Sequence, residues 1–170
     1  MDDIKVLIDE EKLEKRVKEL AKEIEEDYKD KEINLICILK GSIMLTCDLA
    51  KNINGNVMID FLRVSSYEND KSKTISFVKG LLPDIKGKDI ILIEDIIDSG
   101  KTMNFLVPLL SKMKPNSIKV CTLLDKPSRR TIPFEADYVG FTIEDKFVLG
   151  YGMDYNQQYR NLKFIGYIEK

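Results

Sequence analysis

Histidine is absent from all 170 residues, and so is tryptophan. Every mechanism that needs an imidazole as base, nucleophile partner or metal ligand is thereby excluded. Only three cysteines occur, Cys37, Cys47 and Cys121, and they are far apart in the chain. They offer neither a disulfide framework nor the paired spacing of a zinc site, and they read as buried thiols of a reducing compartment. No apolar run approaches the roughly 20 residues that cross a bilayer. The acidic start, Met1-Asp2-Asp3, lacks the apolar segment of a secretory signal. Charge of one sign is missing too: 27 basic against 29 acidic residues give −2, which argues against a basic sheath for nucleic acid. What remains is a cytoplasmic chain without a membrane segment, expected as one domain over residues 1–170, with acid–base work left to carboxylates, lysines and tyrosines. A domain of this size buries roughly 70% of its unfolded surface, so it needs no covalent staples.

Alternating strands and helices follow from the patterning. Asp9 is placed to cap a helix in which Leu13, Val17, Leu20, Ala21 and Ile24 share one face, with Ile8 and Leu13 at the spacing of a hydrophobic staple. The apolar runs at 33–39 and 90–93 read as strands buried on both faces, as in a parallel sheet. Further strands are predicted at 57–62, 74–78, 117–124, 137–141, 146–149 and 164–168, and helices at 43–53 and 102–113. Pro108 should kink or shorten the second of these helices. The polar, aperiodic stretch 65–73 reads as a mobile loop. This order predicts an α/β layer fold with a mostly parallel central sheet flanked by helices.

One segment carries the chemistry: Ile91-Leu92-Ile93-Glu94-Asp95-Ile96-Ile97-Asp98-Ser99-Gly100-Lys101-Thr102. A buried strand ends in two adjacent carboxylates, a third follows, and a small-residue turn opens a helix. Backbone N–H groups converging at a helix N-terminus form a cradle for phosphate. Gly100-Lys101-Thr102 matches the end of a P-loop, but the leading glycine of that motif is Asp95 here, and the P-loop reading fails. A ligand carrying both sugar and phosphate suits the acids better. Glu94 and Asp95 then hold ribose hydroxyls, directly or through hydrated Mg²⁺, and Asp98 handles a proton near the reacting centre.

This segment resembles the phosphoribosyl-diphosphate motif of the type I phosphoribosyltransferases: a strand, two acids, two apolar residues, then D-[ST]-G-x-T. Four other stretches are similar to the hypoxanthine-guanine branch of that family. They are Leu39-Lys40-Gly41-Ser42, Val64-Ser65-Ser66-Tyr67, Leu124-Asp125-Lys126-Pro127 with Arg129-Arg130, and the C-terminal run 146–155 followed by Tyr159-Arg160-Asn161-Leu162. The likeness covers about residues 4–168.

The resemblance implies a type I phosphoribosyltransferase fold with a small hood from the N- and C-terminal segments and a mobile lid begun by Ser66 and Tyr67. It implies a 5′-phosphate held at Ser99, Gly100, Lys101 and Thr102, with backbone contact only from Lys101. Lys40, Gly41 and Arg160 hold pyrophosphate on this reading; the family often has the Lys40–Gly41 peptide cis, which the sequence leaves open. Lys126 donates to a purine 6-oxo group, Phe147 stacks on the base, and the backbone of Val148 and Asp154 reads the purine edge. Mg²⁺ is expected on Glu94, Asp95 and Asp154, and Asp98 acts at purine N7. The substrates would be 5-phosphoribosyl-1-diphosphate with hypoxanthine or guanine, in a homodimer or homotetramer that binds no nucleic acid or membrane. Two alternatives stand: a regulator of the same fold that senses phosphoribosyl diphosphate and binds nucleic acid, and a xanthine-preferring enzyme. Adenine is disfavoured, because the Lys126 ammonium cannot accept a hydrogen bond from a 6-amino group. The lid stretch 67–71 is more charged than the small-residue loops of bacterial relatives.

Overall fold

A computed structural model describes residues 4–69, 72–77 and 84–169. Its elements are β1 (Ile4–Ile8), α1 (Glu10–Asp27), β2 (Ile33–Leu39), α2 (Ile43–Asn52), β3 (Val57–Asn69) and β4 (Ser72–Phe77). There follow β5 (Asp89–Ile97), α3 (Lys101–Ser111), β6 (Ser117–Asp125), a 3-10 turn (Pro127–Arg129), β7 (Tyr138–Thr142), β8 (Val148–Leu149) and β9 (Ile165–Ile168). A six-stranded sheet has the order β4-β3-β2-β5-β6-β7. All its pairings are parallel except β3 with β4. A separate antiparallel sheet, β1-β9-β8, joins the two ends of the chain as the expected hood.

The strands at the centre of the large sheet are apolar on both faces because both are covered. On β2, Ile33 and Leu35 face a cluster with α1 and α2, while Ile36 and Ile38 face one with α3; on β5, Ile91 and Ile93 oppose Ile90 and Leu92 in the same way. This period of two is what a strand's alternating side chains require. Helix α1 starts where its cap predicts, with Asp9 accepting from the Lys12 N–H at 2.9 Å, and the staple residues Ile8 and Leu13 are both buried. No helix among the described residues is long and apolar enough to cross a membrane.

Four expectations change. The stretch expected as a loop from residue 65 is strand as far as Asn69 and pairs with β4 in an antiparallel ribbon. A two-stranded ribbon is held by its backbone ladder and needs no apolar alternation, which is why its sequence carried no period. Asp70, Lys71 and Val78 lie outside the described residues, and for Ser66 and Tyr67 the description is of backbone alone. Helix α3 runs through Pro108 but ends at Ser111 rather than 113. Proline removes one helical donor, and the end tightens into i→i−3 bonds from Lys112 to Leu109 and Met113 to Leu110. Cys47 is exposed, unlike buried Cys37 and Cys121, because it sits on the outer face of α2. Strand β5 does not end at Glu94 and Asp95 but runs on to Ile97 in register with β6; the cis peptide of the neighbouring loop is Leu39–Lys40.

Candidate active site

Strand β3 lies on one side of β2 and β5 on the other, so the chain reverses its direction of winding between β2 and β5. Loops leaving the carboxyl ends of these two strands diverge, and the gap between them is where open α/β sheets bind ligands. A cleft of about 1030 Å³ lies there. Its walls include Lys40 and Gly41 after β2, Glu94, Asp95, Asp98 and Ser99 from β5 and its turn, and Lys101 and Thr102 at the start of α3. Asp154 and Arg160 close it from the C-terminal segment. A second cleft of about 510 Å³ adjoins it, lined by Lys126, Asp145, Lys146, Phe147 and Tyr167, and sharing Asp98 and Arg129 with the first.

The floor of the larger cleft is crowded with negative charge. Glu94 is only 8% exposed, and burial, with the Asp95 carboxylate beside it, pushes its carboxyl well above the usual range. A Cβ on Gly41 would fall 1.5 Å from Asp95 Oδ2. Only glycine lets the β2 loop press this close. The next layer repeats the device: a Cβ on Gly152 would fall 2.0 Å from the Gly41 carbonyl oxygen, and Gly152 itself has φ +98°.

The phosphate-cradle turn is held from outside. The Ser99 carbonyl accepts from the Thr131 and Ile132 N–H groups at 3.1 Å each. Gly100, at φ +82°, caps α3 and leaves the first-turn N–H groups without intrahelical partners. Arg130 donates to the Asp98 carbonyl at 3.0 Å and pairs with Asp125. The Asp98 side chain keeps one oxygen, Oδ1, buried without a hydrogen bond, with Arg129 Nε 3.6 Å away. Orphaned acceptors of this kind are rare and mark places where a ligand completes the set.

In the smaller cleft, Lys126 is 6% exposed. Its ammonium donates to the Lys146 carbonyl at 2.8 Å and lies 3.6 Å from Asp145. Arg129 also pairs with Asp145, at 3.3 Å. Phe147 is exposed and meets Tyr155 edge to face, centroids 5.5 Å apart. Val148 packs its side chain in the core. Asp154 lines the larger cleft, where its Oδ1 lies 2.5 Å from Arg160 Nη2 and its Oδ2 accepts from the Gln157 N–H at 2.8 Å. Among the described residues no three acidic or thiol side chains converge into a ready-made metal cage. Glu94 and Asp95 nevertheless suit a hard cation that keeps most of its shell from water and substrate, because such an ion relieves their mutual repulsion.

Sequence reasoning gathered the acids, the turn, Lys40–Gly41, Lys126 and Phe147, and the structure brings these to the two adjoining clefts. It missed the bracing by Arg129, Arg130, Thr131 and Asp145. The adjacent arginines after Lys126 were the available signal.

An open, mostly parallel sheet with carboxylates and a helix N-terminus at its switch point defines an α/β protein built for a phosphorylated sugar or nucleotide. The comparisons narrow that class. The chain belongs to the phosphoribosyl transferase domain family, which matches residues 4–156. It is 47% identical over 167 residues to the hypoxanthine-guanine phosphoribosyltransferase of Bacillus subtilis, covering 97% of this chain and 93% of that protein. It is 42% identical over 167 residues to the hypoxanthine phosphoribosyltransferase of Escherichia coli, covering 96% of this chain and 94% of the other. Among solved structures, a hypoxanthine-guanine phosphoribosyltransferase from Bacillus anthracis superposes with a TM-score of 0.93 at 46% identity, over 98% of this chain and 100% of that one.

Proposed function

We propose that this chain, acting as one domain in the cytoplasm, is a purine-salvage enzyme. It transfers the phosphoribosyl group of 5-phosphoribosyl-1-diphosphate to N9 of hypoxanthine, and of guanine, forming IMP or GMP and releasing pyrophosphate. The single observation that carries this reading is Asp98, whose unbonded oxygen lies where a sugar-phosphate cleft and a base cleft meet.

On this reading the 5′-phosphate sits on the turn 99–102 and the α3 N-terminus. The ribose hydroxyls face Glu94 and Asp95, and the pyrophosphate lies against Lys40, Gly41 and Arg160. The base stacks on Phe147, its 6-oxo group receives the Lys126 ammonium, and its edge meets the backbone of Val148 and Asp154. Breaking the glycosidic bond builds positive charge on the ribose ring, which the carboxylates below stabilise. Asp98 accepts a hydrogen bond, or a proton, from purine N7 as N9 forms its new bond. Mg²⁺, held by Glu94 and Asp95 with Asp154 on the pyrophosphate side, would neutralise charge on the leaving group. The ribbon that begins at Ser66 and Tyr67 closes over the cleft to keep water from the reactive sugar. Met58, Ile59 and Phe61, exposed on β3, support assembly as a homodimer or homotetramer.

The test offers hypoxanthine, guanine, xanthine and adenine separately with phosphoribosyl diphosphate and Mg²⁺, following nucleotide formation by absorbance. Fast IMP formation, with slower or no reaction of adenine, is the expected result. Faster turnover of xanthine than hypoxanthine would reassign the base. Binding of phosphoribosyl diphosphate with no reaction of any base would overturn the enzyme reading in favour of a sensor.

A further inference from the structure

Outside the substrate cleft, the Tyr151 hydroxyl donates to Asp48 Oδ2 at 2.7 Å. Neither residue lines the larger or the smaller cleft; both line a separate groove on the α1–α2 side. Burial and the adjacent Asp48 carboxylate push the Tyr151 phenol up, so it stays a neutral donor to a charged acceptor, the stronger kind of hydrogen bond. Asp48 belongs to α2, the helix that begins two residues after Gly41. Tyr151 belongs to the turn 150–153, in which Gly150, Tyr151 and Gly152 all have positive φ, at 95°, 48° and 98°. A tyrosine in that conformation is uncommon.

We infer that the Tyr151–Asp48 hydrogen bond is a positioning device for the pyrophosphate end of the cleft. The route is contiguous. Gly152 lies directly on the Gly41 carbonyl; its own carbonyl accepts from Arg160 Nη1 at 2.7 Å, and its N–H donates to the Arg160 carbonyl at 2.9 Å. Arg160 in turn pairs with Asp154. The two loops that face each other across the pyrophosphate position therefore meet at the glycine–glycine contact, with an exposed hydrogen bond from Lys40 Nζ to Gln157 Oε1 at 3.1 Å beside it. Their relative placement depends on what holds the turn beside it to α2. Backbone bonds from Tyr151 to Leu162 and from Gly150 to Met153 stay within the C-terminal segment. The Tyr151 hydroxyl reaches across to the β2–α2 side. Loosening it shifts Gly152, Asp154 and Arg160 relative to Gly41, with the larger effect at the pyrophosphate end and a smaller one at the base edge, where Asp154 also stands and Tyr155 meets Phe147.

The inference rests on the proposed function for its kinetic test, so binding of inorganic pyrophosphate with Mg²⁺, measured by calorimetry, serves as a readout independent of turnover. Tyr151→Phe removes only the hydroxyl, Asp48→Ala removes the acceptor, and Asp48→Asn keeps a carbonyl oxygen that still accepts. Expected is an increase of about tenfold in KM for phosphoribosyl diphosphate and in Kd for pyrophosphate in the first two variants, since small misplacements of binding groups are costly. KM for hypoxanthine should stay within about twofold, Asp48→Asn should recover most of the loss, and the double variant should be no worse than either single one. Unchanged pyrophosphate binding in Tyr151→Phe overturns the inference. So does an equal rise in KM for both substrates, or a fall in melting temperature beyond about 4 °C that tracks the loss. If the unmodified chain forms no nucleotide, the functional reading fails and pyrophosphate binding alone decides the positioning role.

Discussion

At the amino end of the large sheet, Asp27 accepts from Lys119 at 2.7 Å and Tyr138 at 2.6 Å. Asp89, the first residue of β5, accepts from Asn116 at 2.8 Å and Ser117 at 2.5 Å. Lys119 also lies over the rings of Tyr28 and Tyr138. At the other end of the same strand, Glu94 is buried against Asp95 and Asp98 holds an oxygen with no hydrogen bond. These partners pull Asp27 and Asp89 below the usual carboxylate range, whereas Glu94 is driven above it. One strand thus shows both ways of placing an acid. Where side-chain donors surround it, the charge stabilises the fold; where little more than a backbone N–H reaches it, as the Asp95 N–H reaches Glu94 at 3.2 Å, the acid is kept for a ligand at a cost in stability. Uncompensated buried acids are accordingly functional-site markers.

The sharpest way to break this contrast is at Asp98. Asp98→Asn keeps the shape and removes the charge, and kcat/KM for IMP formation should fall by about 10²–10⁴-fold. The melting temperature of the unliganded protein should change by no more than about 2 °C, because the buried oxygen makes no hydrogen bond and its ion pair with Arg129 is half-exposed and contributes little. A large thermal loss would mean that Asp98 is structural. Gly41→Ala comes next: the added carbon meets Asp95, and KM for phosphoribosyl diphosphate should rise by about tenfold or more, with a smaller change for hypoxanthine. A kinetically silent Gly41→Ala would show that the close approach of the loops does not matter.

Glu94→Gln should separate stability from function. Replacing the buried acid beside Asp95 with a neutral amide should raise the melting temperature of the unliganded protein at neutral pH by about 2–4 °C, while weakening binding of Mg²⁺ and phosphoribosyl diphosphate. The pH dependence gives the sign. Glu94 has a raised pKa in the folded state, so its favourable contribution is complete below its ordinary value of 4.5 and is lost as pH rises through the folded value. The advantage of Glu94→Gln should therefore vanish in acid and grow toward neutrality. Asp27 and Asp89 run the other way: their contribution is present above 3.8 and is lost as pH falls through their lowered values. A melting curve of Glu94→Gln that parallels the original at every pH would remove the argument for an ionisable, strained Glu94.

Much of this contrast was legible in the chain itself. Four consecutive aliphatic residues before Glu94-Asp95 mark a buried strand, although β5 runs past the acids to Ile97, and Ser99-Gly100 before Thr102 marks a helix start, because both signals are local. Asp9 and the face from Leu13 to Ile24 located α1 for the same reason. The fit of Gly41 against Asp95 and of Gly152 against Gly41 was not legible, since it depends on residues brought together only by the fold. Arg129 and Asp145 look like ordinary solvated charges until the 3-10 turn places them between the two clefts. The returning strand expected at 74–78 is β4, Ser72–Phe77, whereas the run of β3 on to Asn69 was missed because ribbon pairing leaves no period in a sequence. At the amino end, nothing in Asp27, Lys119 or Tyr138 alone announces that they meet across 111 residues.

That amino-end cluster supplies the smallest expected effect and the control for all the others. Tyr138→Phe removes the hydrogen bond to Asp27 and the one accepted from Lys119 at 3.1 Å, leaves the ring beneath Lys119 and leaves Asp27 its bond from Lys119, so the loss should be about 1 kcal/mol, or roughly 2–4 °C in melting temperature. The salt bridge from Lys119 is partly exposed and contributes little by itself, which keeps the expected loss small. Since the cluster lies at the opposite end of β5 from the clefts, kcat and both KM values should not change. A shift in KM for phosphoribosyl diphosphate in Tyr138→Phe would show that strain passes along β5 from one end to the other. The two ends would then be coupled, and the effects of Glu94→Gln on stability and on binding could no longer be assigned to the site alone.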